Sequence, residues 1–324
     1  MNISAVIPAY NSAGFIADAV RSILAQTSPV TEIIIVDDGS TDNTQQIAGA
    51  LPGPIIYIKQ QNQGPSAARN AGINAAKSEW IAFLDADDQW TPDKIDKQLK
   101  RLQKKPELVL IAGDMAEIDN HDQVITPSVL DKHHLLNKFQ ALQDQAIPNA
   151  LAELVTKNFI PTGTVLVKKS ALIEAGLFNQ ALRFGEDLEL WAKIAAKHPI
   201  ACLPEILMLR RQHGNNATQL TAPLLTDLVK VMQSIKSTAT TALAAQHIDA
   251  DRLVADAYAN LGYWHFTEYE STKARQAFAA SFKQKPNKRA LLYGLSCLLP
   301  VKLIQALRAV KNRPGVTSLQ ANMK

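Results

Sequence analysis

Cysteine is nearly absent: Cys202 and Cys297 are the only two in 324 residues. Their separation excludes a disulfide framework and a cysteine-built metal centre, and suits a reducing cytoplasmic setting. Aromatic residues make up only 6%. Long apolar runs are missing too. The strongest, about 290–301, is too short to cross a bilayer as a helix and is interrupted by Pro300. No basic leader precedes an apolar stretch at the N-terminus, where a strand-like run begins by residue 3, so no secretory signal is expected. No G-x-G-x-x-G follows a strand-like run and no G-x-x-x-x-G-K-[S/T] occurs, which removes the main support for dinucleotide-dependent dehydrogenases and P-loop enzymes. What remains is an ordinary globular composition, 47% apolar and 20% charged, long enough for one large or two modest cores.

The net charge of +4 conceals an asymmetry. Residues 283–324 carry nine Lys or Arg and no Asp or Glu, so the rest of the chain is about −5. A tail of this kind suits an anionic lipid surface or nucleic acid, or simply solubility.

The first hundred residues alternate β-rich runs (Ile3–Pro8, Thr31–Val36, Ile55–Lys59, Trp80–Leu84) with helical patterns near 13–26, 43–50, 67–77 and 92–102. This rhythm predicts an α/β fold with a mostly parallel sheet flanked by helices. Further strands are predicted at Leu108–Ile118 and Thr164–Val167, a short helix capped by Ser170 before Gly176, and a helix over Asp187–Lys197. Residues 119–150 read as a polar, irregular cover with short helices, able to close over a ligand. After about residue 222 the pattern turns all-helical: Pro223–Ser237, Asp249–Phe266, Thr272–Lys283 and Arg289–Val310. The middle pair resembles one tetratricopeptide-like hairpin. The expected domains are therefore 1–222 and a helical appendage, 223–324, with a basic end.

Carboxylates stand at two strand ends, where ligands of parallel sheets bind. Asp85-Ala86-Asp87 offers hard oxygen donors suited to Mg²⁺ or Mn²⁺, or else a solvated turn ahead of a helix. Asp37-Asp38-Gly39-Ser40 suits a local Asx-type turn, or a carboxylate that accepts from the N–H of a base ring. Arg69, near the start of a helix where a cation gains nothing from the dipole, points to solvent or an anionic partner.

Five ordered blocks, V-I-P-A-Y-N (6–11), V-D-D-G-S-T-D-N-T (36–44), N-Q-G-P-S-A-A-R-N-A-G (62–72), F-L-D-A-D-D (83–88) and G-E-D-L-E-L-W (185–191), resemble family 2 glycosyltransferases over about residues 1–215. The resemblance implies a GT-A-type, Rossmann-like sheet and an inverting transfer from a nucleoside diphosphate sugar, a UDP-sugar foremost, to a glycan or lipid-linked acceptor. By the same resemblance Pro8, Ala9, Tyr10 and Asn11 line the nucleotide, Asp38 reads the uracil with Asp37 in support, and Arg69 contacts nucleotide or phosphate. Asp85, with Ala86 beside it, faces the ribose. Asp87 binds Mn²⁺ or Mg²⁺, with His213 of the R-R-Q-H run as a second metal or phosphate contact. Asp187 is the base and Glu186 its orienting neighbour; as a purely structural residue, Asp187 would instead cap its helix. Thr162 and Gly163 lie where acceptor approaches.

The chemistry is self-consistent. A diphosphate leaving group needs its charge offset, an acceptor hydroxyl needs a base, and no enzyme nucleophile is required. The resemblance also implies bacterial lipopolysaccharide, capsule or exopolysaccharide synthesis. A nucleotide-binding scaffold without turnover, a metal-dependent nucleotidyltransferase and a sugar-nucleotide hydrolase are the competing readings. The tail has neither a nucleic-acid module nor interleaved exposed aromatics, so no nucleic-acid partner is expected. A peripheral position on the inner face of the cell membrane is compatible with the leucines and basic residues near the end, from Leu291 to Arg313. Oligomeric state is not legible.

Overall fold

Buried, β-branched runs build the sheet. The computed structural model describes residues 1–143, 145–212, 221–300, 303 and 305. Among these, nine strands form one sheet: β1 (Ile3–Ala9), β2 (Glu32–Asp37), β3 (Ile55–Lys59), β4 (Trp80–Phe83), β5 (Gln89–Trp90), β6 (Leu110–Ile118), β7 (Val124–Thr126), β8 (Leu166–Lys168) and β9 (Ile200–Arg211). The order is β3-β2-β1-β4-β8-β6-β9-β5, with β7 hairpinned onto β6. β1 and β2 are buried at every position, as expected of a parallel strand covered on both faces. The β3-β2-β1-β4 half is wholly parallel. Beyond β4 the sheet is mixed: β8 runs antiparallel to both β4 and β6, while β6 and β9 are parallel to each other. β5, on β9, and β7 also run against that direction.

The helices of this region are α1 (Ile16–Leu24), α2 (Thr44–Gly49), α3 (Pro65–Ala75), α4 (Lys94–Lys104), α5 (Val129–Lys132), α6 (Leu136–Leu142), α7 (Ala150–Thr156), α8 (Lys169–Glu174) and α9 (Glu186–Ala195). α1 buries Ile16, Ala19, Val20 and Ile23, the i, i+3, i+4, i+7 stripe that makes it amphipathic. α3 packs closely enough that a Cβ on Gly72 would strike Val6 of β1.

Several expectations shift. β9 has no counterpart in the sequence reading because Pro204 argues against a strand interior. The sheet absorbs it as a bulge: Gly113 pairs with Leu203 and Asp114 with Ile206, leaving residues 204–205 outside the register. Thr162–Thr164 form a 3-10 turn, so β8 starts only at Leu166. Lys168, not Ser170, caps α8. The 119–150 segment is not a loose cover. Asp114 is fully buried in β6 and accepts from Ser128 Oγ and from the N–H groups of Val129 and Leu130, at 3.1 and 2.9 Å, pinning α5. Arg101 donates to the Gln143 carbonyl (2.6 Å), and Phe139 of α6 is buried against Phe159.

The chain divides into two compact units, residues 1–219 with 237–248, and residues 220–236 with 249–324. α10 (Ala222–Ala245) contributes to both and loses helical geometry at Ala239. The second unit contains α11 (Ala250–Thr267), α12 (Ser271–Gln284) and α13 (Lys288–Ser296). α11 and α12 form a hairpin in which a Cβ on Gly262 would lie 2.9 Å from the Phe278 ring. Of the helix expected over Arg289–Val310, α13 accounts for the part up to Ser296, ahead of Pro300, and most of residues 301–310 lie outside the described residues. No helix among the described residues is long and apolar enough to cross a membrane.

Candidate functional site

The ends of β1, β2 and β4, the first turns of α3 and α9, and the end of β9 supply the candidate residues, all within the first unit. Pro8 and Ala9 are buried in β1, whereas the Tyr10 ring is half exposed just beyond it. Asn11 takes a left-handed conformation (φ 49°) and works inside the loop pair. Its side-chain oxygen accepts from Thr41 N–H at 2.8 Å, and its own N–H donates to Ser40 Oγ at 2.9 Å.

The carboxylates after β2 are already supplied with donors. Asp37 accepts from Ser40 N–H (2.7 Å) and from the Tyr57 hydroxyl. Burial alone would raise its pKa, but the Tyr57 and Ser40 hydrogen bonds outweigh it and hold the carboxyl below its ordinary range. Asp38 accepts from Gln60 Nε2 (2.7 Å) and Gln63 N–H (2.9 Å) on Oδ1, and from Gly64 N–H (2.7 Å) on Oδ2. A carboxylate has about four acceptor positions, so roughly one is left for an external N–H. Gly39 (φ 82°) makes the turn that follows them, where a side chain would also press on the Asn62 backbone at 3.0 Å.

The second cluster is built around Arg69. Its guanidinium is buried, donating to Asp85 Oδ1 (2.8 Å) from one nitrogen and to Glu186 Oε1 (3.0 Å) from another. The anionic partner that its helix position called for is thus, in this structure, a pair of protein carboxylates. Arg69 is already engaged rather than presented to solvent as a phosphate grip, and its buried Nε has no hydrogen-bond partner among the described residues. The guanidinium lies 5.4 Å from the centre of the Phe178 ring. Its neighbour Asn70 clamps residue 178 by exchanging two hydrogen bonds with its backbone, at 2.8 and 2.9 Å. Phe178, Phe83 and Trp191 pack edge-on or tilted beneath, forming an apolar floor.

This bridge brings the D-A-D and E-D blocks to one place, although about 100 residues separate them. Gly185 (φ 74°) is the N-cap of α9, so Asp187 lies in the first turn and does not cap it. Asp187 Oδ1 accepts from Leu188 N–H (2.6 Å) and Oδ2 from Asn158 Nδ2 (3.2 Å). Burial raises the Asp187 pKa despite those bonds and the nearby Arg69. Burial also pushes Glu186 up to about 7; Arg69 opposes the shift and Asp187 adds to it. Asp88 is raised well above the carboxylate range by burial, then by Asp87 and Asp85. The sequence reading assigned Asp88 no role, though it is the third acid of its block. Its Oδ1 accepts from the N–H of Arg211 (2.9 Å), tying the end of β9 to the acidic cluster. Arg211 reaches on to the Asp119 carbonyl and Asp122 (2.9 and 2.7 Å). Asn158 and Asn70 were equally unassigned; an amide has no charge pattern to betray it.

Asp85 and Asp87 are partly exposed and Ala86 is buried between them. No group of three or more His, Cys, Asp or Glu among the described residues gathers to hold a metal. A protein-built cage is therefore not what this set offers. The hard oxygens of the partly exposed Asp85 and Asp87 do fit a divalent ion that takes one or two carboxylates and completes its shell with phosphate and water. His213 lies outside the described residues. Thr162 and Gly163 are buried, the Gly163 carbonyl accepting from Trp90 Nε1 (2.9 Å).

Strand-end carboxylates over a Rossmann-like sheet define an architecture of GT-A type, and comparison with solved structures agrees. TarS 1-349 of S. aureus in complex with UDP-GlcNAc superposes with a TM-score of 0.68 over 96% of this chain and 92% of that one, at 16% identity. Its complex with UDP gives 0.66 over 97% and 93%. Residues 4–160, just under half of the chain, match glycosyl transferase family 2, which assigns that stretch to the family. An uncharacterized glycosyltransferase of Rickettsia felis is 33% identical over 218 residues, 67% of this chain and 34% of the relative. The succinoglycan biosynthesis protein ExoO of Rhizobium meliloti is 32% identical over 201 residues, 60% of this chain and 56% of ExoO. The chain spans between about a third and two thirds of the length of its Rickettsia relatives.

Proposed function

We propose that the chain is an inverting glycosyltransferase that moves a sugar from a UDP-sugar to a hydroxyl of a glycan or lipid-linked acceptor in surface-polysaccharide synthesis. The observation that carries this reading is the Asp85–Arg69–Glu186 bridge, which sets the strand-end acids beside Asp187 in a family 2 domain. The kinship with ExoO and the likeness to TarS with UDP-GlcNAc support the pathway class and the donor class.

Residues 1–222 form the catalytic domain in this reading and 223–324 a helical accessory domain. The half-exposed Tyr10 ring and the remaining acceptor position of Asp38 receive the uracil, with Asp37 locking the turn. Asp85 faces the ribose. Asp187 accepts the proton of the acceptor hydroxyl: Asn158 and the Leu188 N–H fix its orientation, and burial raises its basicity above that of a free carboxylate. Arg69 positions Glu186 and Asp85 on either side of the reacting centre. Asp87, with His213 as a second contact, would hold a Mn²⁺ or Mg²⁺ ion, which would supply Lewis-acid neutralisation of the diphosphate. The enzyme works in the cytoplasm, at the inner face of the membrane.

The test measures UDP release from UDP-glucose, UDP-galactose and their N-acetyl forms, with Mn²⁺, with and without a lipid-linked oligosaccharide fraction. Release accelerated by acceptor and abolished in Asp187→Asn is the expected result. Release indifferent to acceptor would make the protein a hydrolase, pyrophosphate release a nucleotidyltransferase, and binding without release a scaffold.

A further inference from the structure

The outer face of α13 is apolar where a water-facing helix should be polar. Its inner side is accounted for: Ala290 and Cys297 are buried and Tyr293 packs with them against Phe266, Ala274 and Phe278. The opposite side presents Leu291, Leu292 and Leu295, continued past the helix by Leu298 and Leu299, at 39–64% exposure. Their spacing of three and four residues puts them on one stripe. A helix that is apolar on both sides normally lies inside a core, and a contiguous apolar patch on a surface normally marks a binding site.

The charge around the stripe identifies the occupant. Lys288 and Arg289 open α13, Lys283 and Lys285 shortly precede it, and residues 283–324 hold nine basic and no acidic side chains. Arg289 is exposed, donating to Asn260 at 2.8 Å with its guanidinium 5.4 Å from the Tyr263 ring, so its charge is held at the start of α13. A leucine stripe set in purely cationic sequence complements an interface that is apolar inside and anionic outside, which is what an acidic phospholipid surface presents. A second copy of the same segment would set cation against cation. We propose that α13 and the turn after it form a docking surface for anionic phospholipid bilayers. This surface belongs to the helical unit and involves none of the strand-end carboxylates, so it stands or falls separately from the transfer reaction.

The experiment is co-flotation of the full-length protein with phosphatidylcholine vesicles, and with vesicles containing about 30 mol% phosphatidylglycerol. Binding to the anionic vesicles that weakens as salt is raised, with little binding to phosphatidylcholine alone, is expected. Leu292→Glu combined with Leu298→Glu should lower the bound fraction about tenfold or more, with unchanged helicity by circular dichroism and unchanged UDP binding. A milder pair, Leu292→Ser with Leu298→Ser, should give an intermediate loss and guards against misfolding of the first. Equal flotation of wild type and both variants, or no flotation of the wild type, overturns the proposal. Concentration-dependent dimers that the variants abolish would also overturn it, and would assign the face to a second copy.

Discussion

Two acidic clusters sit at strand ends of the same sheet and are treated in opposite ways. After β2, Asp37 and Asp38 are surrounded by donors: Ser40, Tyr57, Gln60, Gln63 and Gly64. After β4 and at the start of α9 stand five carboxylates, of which Asp85 and Glu186 bond the buried guanidinium of Arg69; burial raises Asp88, Glu186 and Asp187, with neighbouring acids adding to the shift at Asp88 and Glu186. The first cluster is finished as a piece of protein; its acids shape a loop and leave one direction open. The second holds Asp88, Glu186 and Asp187 above the ordinary carboxylate range, the condition expected where a cation, a diphosphate or a mobile proton completes the chemistry.

Substitutions should separate the two. Asp187→Asn removes the proposed base while keeping its shape, so acceptor-dependent UDP release should fall by about 10²- to 10⁴-fold with nucleotide binding retained; equal loss of both would move Asp187 into the donor site. Arg69→Met leaves Asp85 and Glu186 without their buried partner and should cost roughly 3–5 kcal/mol in urea unfolding. Asp38→Asn, at the donor-rich cluster, turns one acceptor into a donor facing N–H groups and should cost about 1–3 kcal/mol. If it proved more damaging than Arg69→Met, the contrast between the clusters would be lost.

The subtlest difference is in pH. Glu186 has a higher pKa in the folded chain, about 7, than the ordinary 4.5, so the native state holds its proton more tightly. That contribution favours folding at low pH and is lost as pH rises from about 4.5 to about 7. Asp37 is shifted down, so its contribution is present above its ordinary pKa and lost on acidification below it. Thermal melting followed against pH should therefore show a shallower decline between pH 4.5 and 7 in Glu186→Gln than in the wild type. Asp37→Asn should leave that interval alone and flatten the acid limb below about 4.

The contrast also marks what sequence could disclose. Strand-end acids are legible because a parallel βα rhythm reveals where β2 and β4 stop, and their helices are legible from apolar period. Partnership is not. Nothing in the spacing says that Arg69 of α3 reaches both Asp85 and Glu186, or that Asp88 holds the end of β9, because those contacts join segments 16 to 123 residues apart. β9 itself was hidden by Pro204, which the fold accommodates with a bulge that no local propensity announces. The 119–150 segment looked loose for a related reason. Its polar residues are satisfied from a distance, by the buried carboxylate of Asp114 and by Arg101.

Calorimetric titration of UDP in the presence of Mn²⁺ against wild type, Asp87→Ala and Asp187→Asn probes the crowded cluster most directly. A metal-dependent preference for UDP over GDP, CDP and dTDP, lost in Asp87→Ala and kept in Asp187→Asn, is the expected outcome. Binding that is unchanged in Asp87→Ala, or absent from the wild type, would contradict the assignment of that cluster to the donor diphosphate.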